Sequence, residues 1–173
     1  MSTTPAAARA DDTRPTPLVH KVFGEPRFHA DGDIAAVAFA ADGTVRSVDE
    51  AGVLRHWAAD GKPLARHFLS DLETAWAFAP GAAVLASGND DLILWDAAAG
   101  QLIRRLHQDS WVTTVAFSPD GRTLATGHDD GTVRFWDVAA QKAVGKLLAH
   151  PKAVSAVAFS PKGDYIATAG EDR

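Results

Sequence analysis

The 173-residue sequence has no cysteine, one methionine and one tyrosine. Without thiols it can form neither disulfides nor thiolate metal sites. No apolar run approaches the roughly 20 residues that cross a bilayer as a helix, so a membrane is not an expected partner. Positive charge is also scarce, with 17 Lys and Arg against 22 Asp and Glu. A net charge of −5 argues against nucleic acid, whose binding needs a basic face. Phosphate-binding glycine loops, the nucleophile-elbow pattern GxSxG and the zinc pattern HExxH are all missing. No nucleophile has a base beside it, and no histidine or carboxylate spacing suits a metal. The expectation is a protein that is not an enzyme and holds no cofactor or metal.

What is present is a pattern. Val112 to Asp137 reads VTTVAFSPDGRTLATGHDDGTVRFWD. VTTVAF is β-branched, aromatic and alternating, as a half-buried strand requires. In SPDG, Pro119 pre-sets φ for a turn and Gly121 takes the positive φ that closes it. RTLATG is a second strand, HDDG a second turn and TVRFWD a third strand.

The unit recurs. Its Ala-Phe marker falls at Phe39, Phe78, Phe117 and Phe159, in steps of 39, 39 and 42 residues. The third-strand Trp falls at Trp57, Trp95 and Trp136. A period near 40 built from strands and ending in Trp-Asp is the signature of a propeller blade. The repeats cover about 29–68, 69–108, 109–150 and 151–173, and residues 1–17 read as a disordered polar tail. One repeat cannot bury its own faces, so the fold must be an array.

On the recurrence of VAFSPDG, LATG, DDGTVRFWD and VAFSPKG, residues 29–173 resemble the WD-repeat β-propeller family. The resemblance implies an all-β fold of four-stranded antiparallel blades, here about three and a half. It also implies a hydrogen-bonded tetrad in each blade: an entry-loop His, a second-strand Ser or Thr, an Asp before the third strand, and the Trp. Repeat three offers His107, Thr126, Asp130 and Trp136. Repeat two offers Ser87, Trp95 and either Asp90 or Asp91, with His67 displaced. Repeat four offers His150, Thr168 and Asp172. Repeat one has Ala51 in place of the Asp, leaving His29, Ser47 and Trp57. His20, His56 and His128 stand outside the tetrads and are expected to be exposed or simply packed.

The period places a fourth Trp beyond Arg173. Two expectations follow. The chain is a fragment of a longer protein, or two chains complete each other, with Leu18–Phe23 as an outer strand. Open blade ends predict self-association.

The functional expectation is a cytoplasmic, non-catalytic scaffold for protein–protein interaction. The alternative is a regulatory or substrate-positioning domain of a larger enzyme. A candidate partner-binding rim combines Asp31, Asp33, Asp71, Glu73 and Asp109, with Asp49, Glu50 and Glu171 in adjacent turns. Such a rim would steer a basic protein or peptide. Trp111 joins it, because no position in the other repeats explains an aromatic there. Trp76 aligns with Val37, Val115 and Val157 and is expected in the core.

Overall fold

The computed structural model describes residues 33–70 and 73–172. The tail, the Leu18–Phe23 strand, His20, His29, Asp31 and Asp71 lie outside the described residues.

Among the described residues, fourteen strands form four antiparallel sheets in chain order. Blade one holds β1 (Ile34–Phe39), β2 (Val45–Asp49), β3 (Val53–Trp57) and β4 (Pro63–Phe68). Blade two holds β5 (Ala75–Phe78), β6 (Val84–Gly88), β7 (Asp91–Asp96) and β8 (Gln101–His107). Blade three holds β9 (Val112–Phe117), β10 (Thr123–His128), β11 (Thr132–Asp137) and β12 (Lys142–Leu148). Blade four pairs β13 (Val154–Phe159) with β14 (Ile166–Gly170). Each strand pairs with the next in sequence, as short turns dictate. In the three four-stranded blades the register slips at the third-strand Trp, opposite the fourth strand. A bulge at that point adds twist and turns the Trp side chain.

The first strands of successive blades lie side by side, and the sheets pack face to face. Val48 and Leu54 of blade one meet Leu85, Ile93 and Trp95 of blade two. Ala75, Ala86, Leu92 and Leu94 of blade two meet Val115, Leu124 and Trp136 of blade three. Ala125 and Val133 of blade three meet Val154 and Val157 of blade four. Trp76 packs, half-buried, against the first of these clusters. The core is therefore three interfaces between sheets, which is how an array buries faces that a single repeat cannot. Arg46, also buried, reaches from blade one to donate to the Ala82 carbonyl of blade two.

Turns between second and third strands form one edge of the array. Gly131 closes such a turn with φ +79°, and a Cβ there would sit 2.0 Å from the His150 carbonyl oxygen. Only glycine allows that backbone to pass so close. The chain leaving β12 uses the approach: Ala149 and His150 both donate to the Gly131 carbonyl at 3.1 Å. Blade one repeats it with Leu69 and Gly52 at 2.9 Å.

Candidate functional site: tetrads and the entry-loop rim

Each four-stranded blade pins its third strand to its second through the indole. Trp57 donates to Ser47 at 2.9 Å, Trp95 to Ser87 at 2.9 Å and Trp136 to Thr126 at 3.0 Å. Beyond the hydroxyl the blades diverge. In blade four, His150 Nε2 lies 3.0 Å from Thr168 Oγ1. Its Nδ1 lies 2.8 Å from Asp172 Oδ1, at ion-pair distance but off the hydrogen-bond line.

Blade three corrects the expectation for His107. That side chain is exposed on β8 and contacts Asp91 Oδ1 at 2.9 Å, in blade two. The reason is register: Gln108 precedes Val112 by four residues, just as His150 precedes Val154. Gln108 is buried and accepts from Arg134 at 2.9 Å. The imidazole comes instead from His128, two residues beyond Thr126 and fully buried. Its Nε2 is 2.8 Å from Thr126 Oγ1 and its Nδ1 is 3.1 Å from the Ser110 carbonyl. A carbonyl only accepts, so Nδ1 carries the hydrogen and Nε2 accepts from the Thr hydroxyl. Burial pushes the His128 pKa below its ordinary value and so favours the neutral ring in which Nε2 accepts. Asp130 does not reach this histidine. It accepts from the Thr132 amide at 2.9 Å and the Thr132 hydroxyl at 2.5 Å, holding its own turn.

Blade two corrects Glu73. It is buried rather than on the rim, because it aligns with the inward Val112 and Val154. Burial raises its pKa, opposed by the charge of Arg105 and by hydrogen bonds from Ser70 and Ser87. A carboxyl thus takes the place beside Ser87 that an imidazole takes beside Thr168. Of the two turn residues, Asp91 is the engaged one, pairing with Arg105 at 3.0 Å and with His107. Asp90 is exposed. His67 stays far from Ser87; its ring stands 5.3 Å from that of His56 and covers Gly100.

In blade one, Asp49 compensates for Ala51. It sits two residues beyond Ser47, as His128 does beyond Thr126, and it is fully buried. It accepts from the Val53 amide at 2.9 Å and pairs with Arg55. Asp49 is therefore structural and not part of the rim.

The rim that remains carries Asp33, Glu50, Asp90, Asp109, Asp129 and Glu171, all exposed. Asp109 Oδ1 is 2.5 Å from Arg134 Nη2, and that hydrogen bond holds its carboxyl below the usual range. Trp111 stands among them, 43% exposed. Its backbone is strapped on both sides. The Trp111 carbonyl accepts from the Asp129 amide at 3.1 Å, and the next amide, Val112, donates to the Asn89 carbonyl at 2.7 Å. Ser110 adds a 2.5 Å bond to Asp129 Oδ1. The backbone at Trp111 is thus held between the second turns of blades two and three, and its indole is part-exposed there. Among the described residues, no group of three or more His, Asp or Glu is placed to hold a metal ion.

The family model for the WD domain, G-beta repeat, matches residues 100–137 and 141–173. The chain carries WD repeats. No curated protein matches it. WD repeats generally mediate protein–protein interaction, and WD-repeat domains are typically non-catalytic. Each matched segment starts at the fourth strand of one blade and runs into the next blade. The WD repeat therefore straddles two sheets and ties them covalently. The matched segments contain the two histidine-centred networks. Outside them fall Asp49 and Glu73 and the second and third strands of their sheets.

Proposed function

We propose that this chain is a non-catalytic scaffold that holds a basic protein segment on the acidic rim around Trp111. The observation carrying this reading is the part-exposed indole of Trp111 on a backbone hydrogen-bonded to both neighbouring turns. A preorganised backbone costs less entropy to bind, and aromatic residues dominate binding hot spots. The face of an indole attracts a Lys or Arg side chain by about 0.5–2 kcal/mol. Asp90, Asp109 and Asp129 supply the surrounding negative field. Self-association through exposed sheet faces, and a cytoplasmic location to be checked by cell fractionation, go with the same reading. Titrating Trp111→Ala and the parent chain with an array of Lys/Arg-rich peptides tests it. Peptides that bind the parent should bind the variant at least tenfold more weakly, and salt should weaken both. Equal binding to parent and variant would remove Trp111 from the function.

A further inference from the structure

The fourth strand of each four-stranded sheet is its outer edge. Together β4, β8 and β12 carry Arg66, Arg104, Arg105, Lys142 and Lys146, and no Asp or Glu. The chain as a whole holds more acid than base, 22 residues against 17. The outer edges therefore carry a charge opposite in sign to the chain and to the rim around Trp111.

The middle one of the three, β8, shows the edge most plainly. All its residues are exposed except the half-buried Leu106. Among the described residues no strand pairs with its outer side, which leaves a row of backbone N–H and C=O groups open to pairing. Leu102 and Ile103 add apolar surface, 54% and 39% exposed. Arg105 lies opposite Ile93, and Arg104 opposite Leu94. Opposed residues share a face of the sheet. Ile93 belongs to the contact with blade one and Leu94 to the contact with blade three. The two arginines therefore flank the edge from opposite faces. Arg105 pairs with Asp91 at 3.0 Å. Arg104 has no ion pair among the described residues.

We propose that β8 docks an acidic, extended segment of another protein as a fifth, antiparallel strand. Main-chain hydrogen bonds hold such a strand, and its side chains supply specificity. In the antiparallel direction the segment reads acid, acid, apolar, apolar. Two carboxylates meet Arg105 and Arg104, and two apolar side chains cover Ile103 and Leu102. Charge decides the occupant. Cations on an edge repel a second cationic edge, so another copy of this chain is disfavoured there. Complementary charge favours an acidic partner. This surface is separate from Trp111 and does not rest on binding at the rim.

A dye-labelled peptide with a Glu-Glu-Ile-Val core, titrated into residues 1–173 by fluorescence anisotropy, tests the inference. The parent should bind it, and Arg104→Glu should bind it about tenfold more weakly or worse. Trp111→Ala should bind it as the parent does. Methylating the peptide nitrogens that face β8 should abolish binding. Arg104 is exposed, so the new charge is not buried; circular dichroism checks the fold, and Arg104→Gln serves should Arg104→Glu misfold. No binding to the parent, or equal binding to parent and variant, would overturn the proposal. So would binding indifferent to backbone methylation, which would mean a general polyanion surface. Binding lost in Trp111→Ala would place the peptide on the rim instead. Parent dimers that Arg104→Glu abolishes would place a second copy on this edge. Either result would also overturn the proposal.

Discussion

At the residue scale, one position explains where the networks differ. It lies two residues beyond the second-strand hydroxyl and holds Asp49, Asn89, His128 and Gly170 in the four blades. Gly170 leaves room for His150, since a Cβ there would stand 2.5 Å from that ring. His128 fills the equivalent room itself. Because burial disfavours its charged form, its folded pKa lies below the 6.5 of a free histidine. The unfolded chain therefore binds the proton first as pH falls. Stability should be full above about pH 6.5 and decline below it, until the folded pKa is reached. His56 is shifted in the same direction by burial and adds to the slope. Urea unfolding between pH 8 and pH 5 measures this. His128→Ala should flatten the slope and cost about 1–3 kcal/mol at pH 8 by leaving Thr126 and Ser110 short of a partner. An unchanged slope would mean that His128 titrates normally in the fold. Asp49 gives a second prediction. Asp49→Ala strands Arg55, whose side chain is 10% exposed, and should cost about 3–5 kcal/mol. A loss below 1 kcal/mol in denaturant titration would show that water reaches that guanidinium.

At the element scale, the strands and turns of blade three were legible to within a residue: His128, read as the start of the HDDG turn, closes β10. SPDG and HDDG carry their own turn chemistry, and VTTVAF and TVRFWD alternate as pleated strands do. The Trp–hydroxyl pairs were legible for the same reason, since both members sit at fixed strand positions. What could not be read was the donor of the third group. His107 and Gln108 are adjacent, and one residue of loop slack decides which faces inward. Glu73 and Asp49 read as surface acids because charged residues usually are. Only the alignment of Glu73 with Val112 and Val154 signals its burial. The turn glycines give a test at this scale. Gly43 and Gly131 have nearly equal φ, +81° and +79°, but a Cβ at Gly43 meets nothing within 4 Å. Alanine at either site pays roughly 1–2 kcal/mol for the left-handed backbone. Gly131→Ala must also displace the His150 carbonyl, so it should lower the melting temperature clearly more than Gly43→Ala. Equal losses would mean that the entry loop of blade four yields freely.

At the scale of the whole molecule, the period announced an array, and the array appears as four sheets. The sequence did not display which sheet faces meet, because that emerges only when strands are paired in register. Those meetings govern how stability is distributed. In a one-dimensional stack each blade draws stability from its neighbours alone. Among the described residues, blades two and three pack against a blade on both faces, whereas blades one and four each pack against one. Amide exchange should therefore be slowest in β6, β7, β10 and β11, where Leu85, Leu92, Leu124 and Val133 are fully buried. It should be fastest in β1 and β14. Hydrogen-exchange mass spectrometry reads this order. Uniform protection along the chain would show one cooperative unit in place of a stack.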